Sequence, residues 1–69
     1  MSKYQNHIIS NPEILLGKPV IQGTRISVEF ILKKLSEGAT FENLAKQHKL
    51  SHEEIYAVLD YASARLADR

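Results

Sequence analysis

Three histidines, eight carboxylates and two serines placed at the start of helical patterns are the side chains of this 69-residue sequence that could do chemistry. His48 and His52 stand four apart, but a turn at Lys49-Leu50 separates them, so they do not share one helical face as a zinc pair would. His48 is expected to be partly buried beneath the first helix, and His52 to be solvated in a first turn. Glu13, Glu29, Glu37, Glu42, Glu53, Glu54, Asp60 and Asp68 are dispersed, and no two of them read as an acid/base pair. Ser27 and Ser51 are better explained as helix caps than as nucleophiles, since neither has a histidine at meaningful spacing. Gly17-Lys18-Pro19 lacks the run of free N–H groups and the following helix that cradle a phosphate. There is no cysteine, which excludes disulfides, thiol nucleophiles and Cys-based zinc sites. No catalytic residue, metal ligand or cofactor site is therefore expected, and the chain reads as a non-enzyme.

The elements that must position these residues fall into two parts, divided near Ser27. Before it, His7-Ile8-Ile9 is a short β-prone run closed by Ser10-Asn11-Pro12. Pro19-Val20-Ile21 and Thr24-Arg25-Ile26 then flank Gln22-Gly23, where glycine supplies the positive φ of a tight reversal, so 7–26 is read as extended segments with a small hairpin. After it, three helices over 27–66 have legible starts. Ser27 caps the first, with Val28, Ile31, Leu32 and Leu35 inward and Gly38 as its stop. Thr40 caps the second, with Phe41, Leu44, Ala45 and His48 on one face. Ser51-His52-Glu53-Glu54 is a capping box opening the third, whose inward stripe is Ile55, Val58, Leu59, Ala62 and Leu66. The whole is one mainly α domain. Its 40–66 segment fits a helix-turn-helix, with an ordinary αα-hairpin as the alternative.

Size and charge narrow the partners. A chain of 69 residues buries only about 60% of its unfolded surface, so a self-contained deep cleft is not expected, and without disulfides assembly is the obvious source of extra stability. Nine Lys plus Arg against eight Asp plus Glu give a net charge of +1, less basic than nucleic-acid modules usually are. Candidate DNA contacts are Lys46, Lys49, Ser51 and His52, around the turn and the tip of the third helix. Glu53 and Glu54 at that tip would repel phosphates, and Glu29–Lys33 and Glu42–Lys46 are spaced to pair at i, i+4. Candidate protein-interface residues are Phe30, which points away from the first helix's apolar stripe, and Ala57, Tyr61 and Ala64, read as an outward stripe on the third helix. A covering N-terminal segment is the plainer reading of Phe30, and helix propensity that of the alanines. The His7-Ile8-Ile9 edge could pair with a second copy or with a partner's sheet. Met1-Ser2-Lys3-Tyr4-Gln5-Asn6 has no apolar core of a signal peptide, so a cytoplasmic location is expected.

The run Gly17-Lys18-Pro19-Val20-Ile21-Gln22-Gly23-Thr24-Arg25-Ile26-Ser27-Val28, followed by Ile31-Leu32, Leu35 and Gly38, resembles the signature of domain-of-unknown-function family 433. The later Leu50 to Ile55 and Leu59-Asp60-Tyr61-Ala62 stretches fit as well. The resemblance implies a homeodomain-like helix-turn-helix domain preceded by short β segments. It also implies a VapB-like antitoxin that binds and neutralises a PIN-like ribonuclease toxin. Operator DNA is a further expected partner, and a size that invites assembly leads to a homodimer or higher oligomer as the expected form. A stand-alone helix-turn-helix regulator and a self-associating module are the other readings. The family run maps onto Gly17, Pro19, Ile21, Gly23, Thr24, Arg25 and Ile26. Gly23 is expected to make the reversal, Ile21 and Ile26 to pack inward, and Thr24 and Arg25 to be held at its rim. Arg25 could fork onto a carboxylate of a PIN-like site; an internal pair with Glu29 or a chain carbonyl is the favoured role.

Overall fold

A computed structural model describes residues 5–67. After a 3-10 turn at Gln5–His7 come strand β1 (Ile8–Ile9), a turn at Leu15–Gly17, strand β2 (Val20–Ile21), and helices α1 (Val28–Ser36), α2 (Phe41–His48) and α3 (His52–Ala67). The chain is a mainly α domain of three helices with a two-stranded antiparallel sheet.

The helix starts follow from local side-chain chemistry. The Ser27 hydroxyl accepts the Phe30 N–H at 2.9 Å and the Thr40 hydroxyl the Asn43 N–H at 3.0 Å. At α3 the box is reciprocal: the Glu54 N–H donates to the Ser51 hydroxyl (3.1 Å), and the Ser51 N–H to the Glu54 carboxylate (2.8 Å). Each satisfies N–H groups that a helix end leaves without intrahelical partners. α1 stops at a Schellman turn in which the N–H groups of Gly38 and Ala39 bond back to the carbonyls of Leu35 and Lys34, with Gly38 at φ +100°. α2 stops differently. Lys49 takes the left-handed conformation (φ 56°, ψ 44°), and the Leu50 N–H returns to the Ala45 carbonyl at 2.9 Å, turning Leu50 into the core.

The core joins Ile21, Val28, Ile31, Leu44, Leu50, Ile55 and Val58, so every helix and β2 contributes to it. The α1 and α2 stripes are as expected. α3 is rotated. Leu59 is 37% and Leu66 71% exposed, whereas Ala57 is buried at 1%. The cause is tertiary: α3 packs against α1 and α2, and also against the N-terminal turn and β1, so its buried perimeter is wider than one stripe. The outward stripe of Ala57, Tyr61 and Ala64 therefore does not exist as such. Tyr61 packs against the core, and Ala64 alone of the three is exposed.

The strand pairing also differs from a simple hairpin. β2 pairs with β1, Ile8 opposite Ile21 and Ile9 opposite Val20, while on its other side it makes a single bridge from Val20 to Ser27. Of the His7-Ile8-Ile9 run, Ile8 and Ile9 are paired along one edge with β2 of their own chain.

Candidate functional site

Two reversals bracket β2, and together they hold most of the Gly17–Ile26 run. The second, at Gln22–Arg25, is locked by four hydrogen bonds. The Thr24 hydroxyl donates to the Ile21 carbonyl (2.7 Å) and accepts from the Ile26 N–H (3.0 Å). The Thr24 N–H bonds to the same Ile21 carbonyl at 3.0 Å, and the Ile21 N–H to the Ile26 carbonyl at 2.9 Å. Gly23 sits at φ +83° with open space where a Cβ would be, so its glycine answers to backbone conformation and not to crowding. The ends are anchored in the interior: Ile21 is fully buried, Ile26 packs on the core, and the Pro19 carbonyl accepts the Val28 N–H at 3.0 Å. These are the roles expected of Gly23, Ile21, Ile26 and Thr24.

Arg25 departs from the favoured reading. It is exposed and forms no hydrogen bond or ion pair among the described residues, because Glu29, its expected partner, is bonded to Lys18 Nζ at 3.1 Å. The turn therefore holds its backbone firmly and leaves its guanidinium free. The i, i+4 pairs Glu29–Lys33 and Glu42–Lys46 are likewise absent; Lys33 and Lys46 make no ion pair among the described residues, and Lys34 meets Glu37 at 3.8 Å. Exposed pairs of this kind are worth at most about 1 kcal/mol, so tertiary proximity easily redirects them.

The first reversal was not foreseen. Leu15 (φ 49°), Leu16 (φ 58°) and Gly17 (φ 85°) are consecutive left-handed residues, a conformation that costs each leucine about 1–2 kcal/mol. Only Gly17 carries a sequence signal for it. Ser27 lines the same hollow as Leu15, Leu16 and Lys18, which brings this turn against the start of α1.

The remaining candidates lie elsewhere. Phe30 is 36% exposed and meets the half-buried His48 of α2 edge-on (5.3 Å, 88°), with Lys34 Nζ 5.4 Å from its ring. His48 thus has the partial burial expected of it. Lys46 and His52 come together with Glu42 and Asn43 around one open hollow, where His52 also stacks edge-on near Phe41 (6.4 Å). Ser51 is occupied as a cap, and Lys49 terminates α2. No three His, Cys, Asp or Glu side chains among the described residues are placed to hold a metal ion. No helix among them is long and apolar enough to cross a membrane.

With this geometry in view, the model of the family described as "Protein of unknown function (DUF433)" matches residues 8–62, which take in both reversals, α1, α2 and the first part of α3. The chain belongs to the DUF433 family. The match runs from β1 to the middle of α3, so the parts of this DUF433 chain that build its core are the parts that define its membership. No curated protein sequence is similar enough to match. Among solved structures, Rv2018 from Mycobacterium tuberculosis is similar at 26% identity and a TM-score of 0.70 over 83% of this chain. The chain spans 27% of the length of that protein.

Proposed function

We propose that this DUF433 chain is a cytoplasmic antitoxin-like protein that binds a PIN-like ribonuclease and neutralises it, with the Gln22–Arg25 reversal as the contacting element. The observation that carries the reading is the free Arg25 on a locked turn. PIN-like active sites are built from carboxylates, and a guanidinium forks onto carboxylates through two parallel hydrogen bonds. Because the Thr24 bonds already fix the backbone beneath Arg25, little further ordering is needed on binding.

Operator DNA is the second proposed partner, and one observation favours it. Lys33 and Lys46 make no ion pair among the described residues, contrary to the spacing argument, and Lys46 shares a hollow with His52 beside the α2–α3 turn. Glu53, exposed in the first turn of α3, keeps this reading subordinate, since it would face phosphates there.

Co-expression with the product of the neighbouring gene tests the nuclease reading. The wild-type chain is expected to co-purify with it and relieve its toxicity. Arg25→Ala should weaken the complex at least about tenfold, the scale of a charge-assisted hydrogen bond, and Arg25→Lys should restore only part of that. A wild-type chain that neither co-purifies nor relieves toxicity removes the reading.

A further inference from the structure

The Leu15–Gly17 turn exposes a large apolar side chain on a left-handed backbone that leucine rarely adopts. Leu16 is 95% exposed, so its own packing returns almost nothing. Yet the turn is held in place: the Ile14 N–H bonds to the Asn11 carbonyl (2.8 Å), the Gly17 N–H to that of Ile14 (3.0 Å), and the Lys18 N–H to that of Leu15 (3.2 Å). The Asn11 side chain adds a bond from the Glu13 N–H at 2.9 Å. The molecule thus presents a knob on a fixed base.

It also presents a hole. Between α1 and α3 lies an open groove of about 370 Å³, with Leu32, Tyr61, Ala62 and Leu66 along it and Glu29 and Arg65 on its rims. Leu66, at 71% exposure, extends this apolar surface outward. Knob and groove are neighbours, because Pro19, three residues beyond Leu16, lines the groove, and Lys18 bonds Glu29 on its rim at 3.1 Å.

We propose that two copies of this chain pair about a two-fold axis, each inserting Leu16 into the α1–α3 groove of the other. The adjacency of knob and groove is what singles out a second copy as the occupant. An isologous contact needs both complementary features on one patch, so that the two insertions close around a single axis. The charges fit the same arrangement. The Lys18–Glu29 pair is solvent-exposed and weakly held, so each Lys18 can cross to the partner's Glu29 at little cost, once per copy. Filling the groove would also supply apolar burial that a chain of this size lacks. The pairing does not depend on the nuclease reading.

Analytical ultracentrifugation of the purified chain, from about 1 µM to about 1 mM, tests it; this range spans the affinities expected of a small interface. The wild type should be a reversible dimer. Leu16→Gly should raise the dissociation constant at least about a hundredfold, since it removes two buried leucines per dimer. It should also raise the monomer's unfolding midpoint by relieving the left-handed leucine, so loss of the dimer cannot be blamed on misfolding. Leu66→Glu should dissociate the dimer from the groove side. Equal amounts of the two variants should form a mixed dimer, in which the remaining Leu16 enters the remaining intact groove. A wild type that stays monomeric throughout overturns the proposal, as does a Leu16→Gly dimer within threefold of wild type. A monomeric wild type whose Leu16→Gly variant loses the nuclease overturns it in favour of Leu16 as a contact to that partner.

Discussion

Replacing Thr24 by Val tests whether the second reversal is held by side-chain bonds or merely tolerated by its glycine. Valine keeps the branched shape and removes the hydroxyl, and with it the 2.7 Å bond to the Ile21 carbonyl and the 3.0 Å bond from the Ile26 N–H. The Ile21 carbonyl keeps a second donor, the Thr24 N–H at 3.0 Å, whereas the Ile26 N–H has no other bond in the turn. Two hydrogen bonds at about 1 kcal/mol each give a cost of about 2 kcal/mol. Against the roughly 3–10 kcal/mol expected for a domain of this length, that is a substantial fraction. In a thermal melt followed by circular dichroism, it corresponds to a drop of about 8–16 °C. Thr24→Ser retains both bonds and should lose only a small part of this. If the proposed function holds, the valine variant should also bind the nuclease partner less well, although Arg25 is untouched, because the backbone beneath Arg25 is no longer fixed. A Thr24→Val midpoint within about 3 °C of wild type, equivalent to less than about 0.4–0.8 kcal/mol, would show that the turn does not need its hydroxyl.

Three other substitutions probe how the helices are set. Lys49→Gly removes the penalty of a left-handed lysine at the end of α2 and should stabilise the domain by about 0.5–1 kcal/mol, read as a raised denaturation midpoint in urea. Ala57→Leu forces extra volume into a site that is 1% exposed and should cost about 1–3 kcal/mol, whereas Ala64→Leu, on the exposed face of the same helix, should stay within about 0.5 kcal/mol of wild type. Equal effects at the two alanines in the same urea titration would mean that α3 is not rotated as described.

What could be read in advance was what is decided locally. Ser27, Thr40 and the Ser51–Glu54 box act on N–H groups three residues away, so residue type and spacing suffice to place them. Gly23 and Gly38 likewise mark positive φ within their own turns. The errors arise where a distant segment decides. Which face of α3 is buried depends on the N-terminal turn and β1 lying against it, more than forty residues away in the sequence, and this brings Ala57 inside while leaving Leu59 and Leu66 at the surface. The same holds for charge: Glu29 pairs with Lys18, eleven residues away, and so frees both Lys33 and Arg25. The left-handed Leu15 and Leu16 had no signal, because leucine has no preference for that region and only Gly17 announces it.

These non-local outcomes bear on function more than the local ones do. The capping bonds build a three-helix frame that many proteins could share, and a frame by itself selects no partner. Specificity has to come from features that the frame holds out and does not use. Here those features cluster at the two ends of β2: a guanidinium without a partner among the described residues on one locked turn, and a leucine held out at a backbone cost on the other. Both ends are tied to the interior by the same short strand, Val20–Ile21, whose two residues are fully buried. A displacement of β2 would therefore move Arg25 and Leu16 together. Occupying the groove beside Leu16 would in turn steady the strand that carries Arg25, so self-association and capture of an acidic partner should reinforce each other through β2, and a Leu16→Gly monomer should bind that partner less tightly even with Arg25 intact.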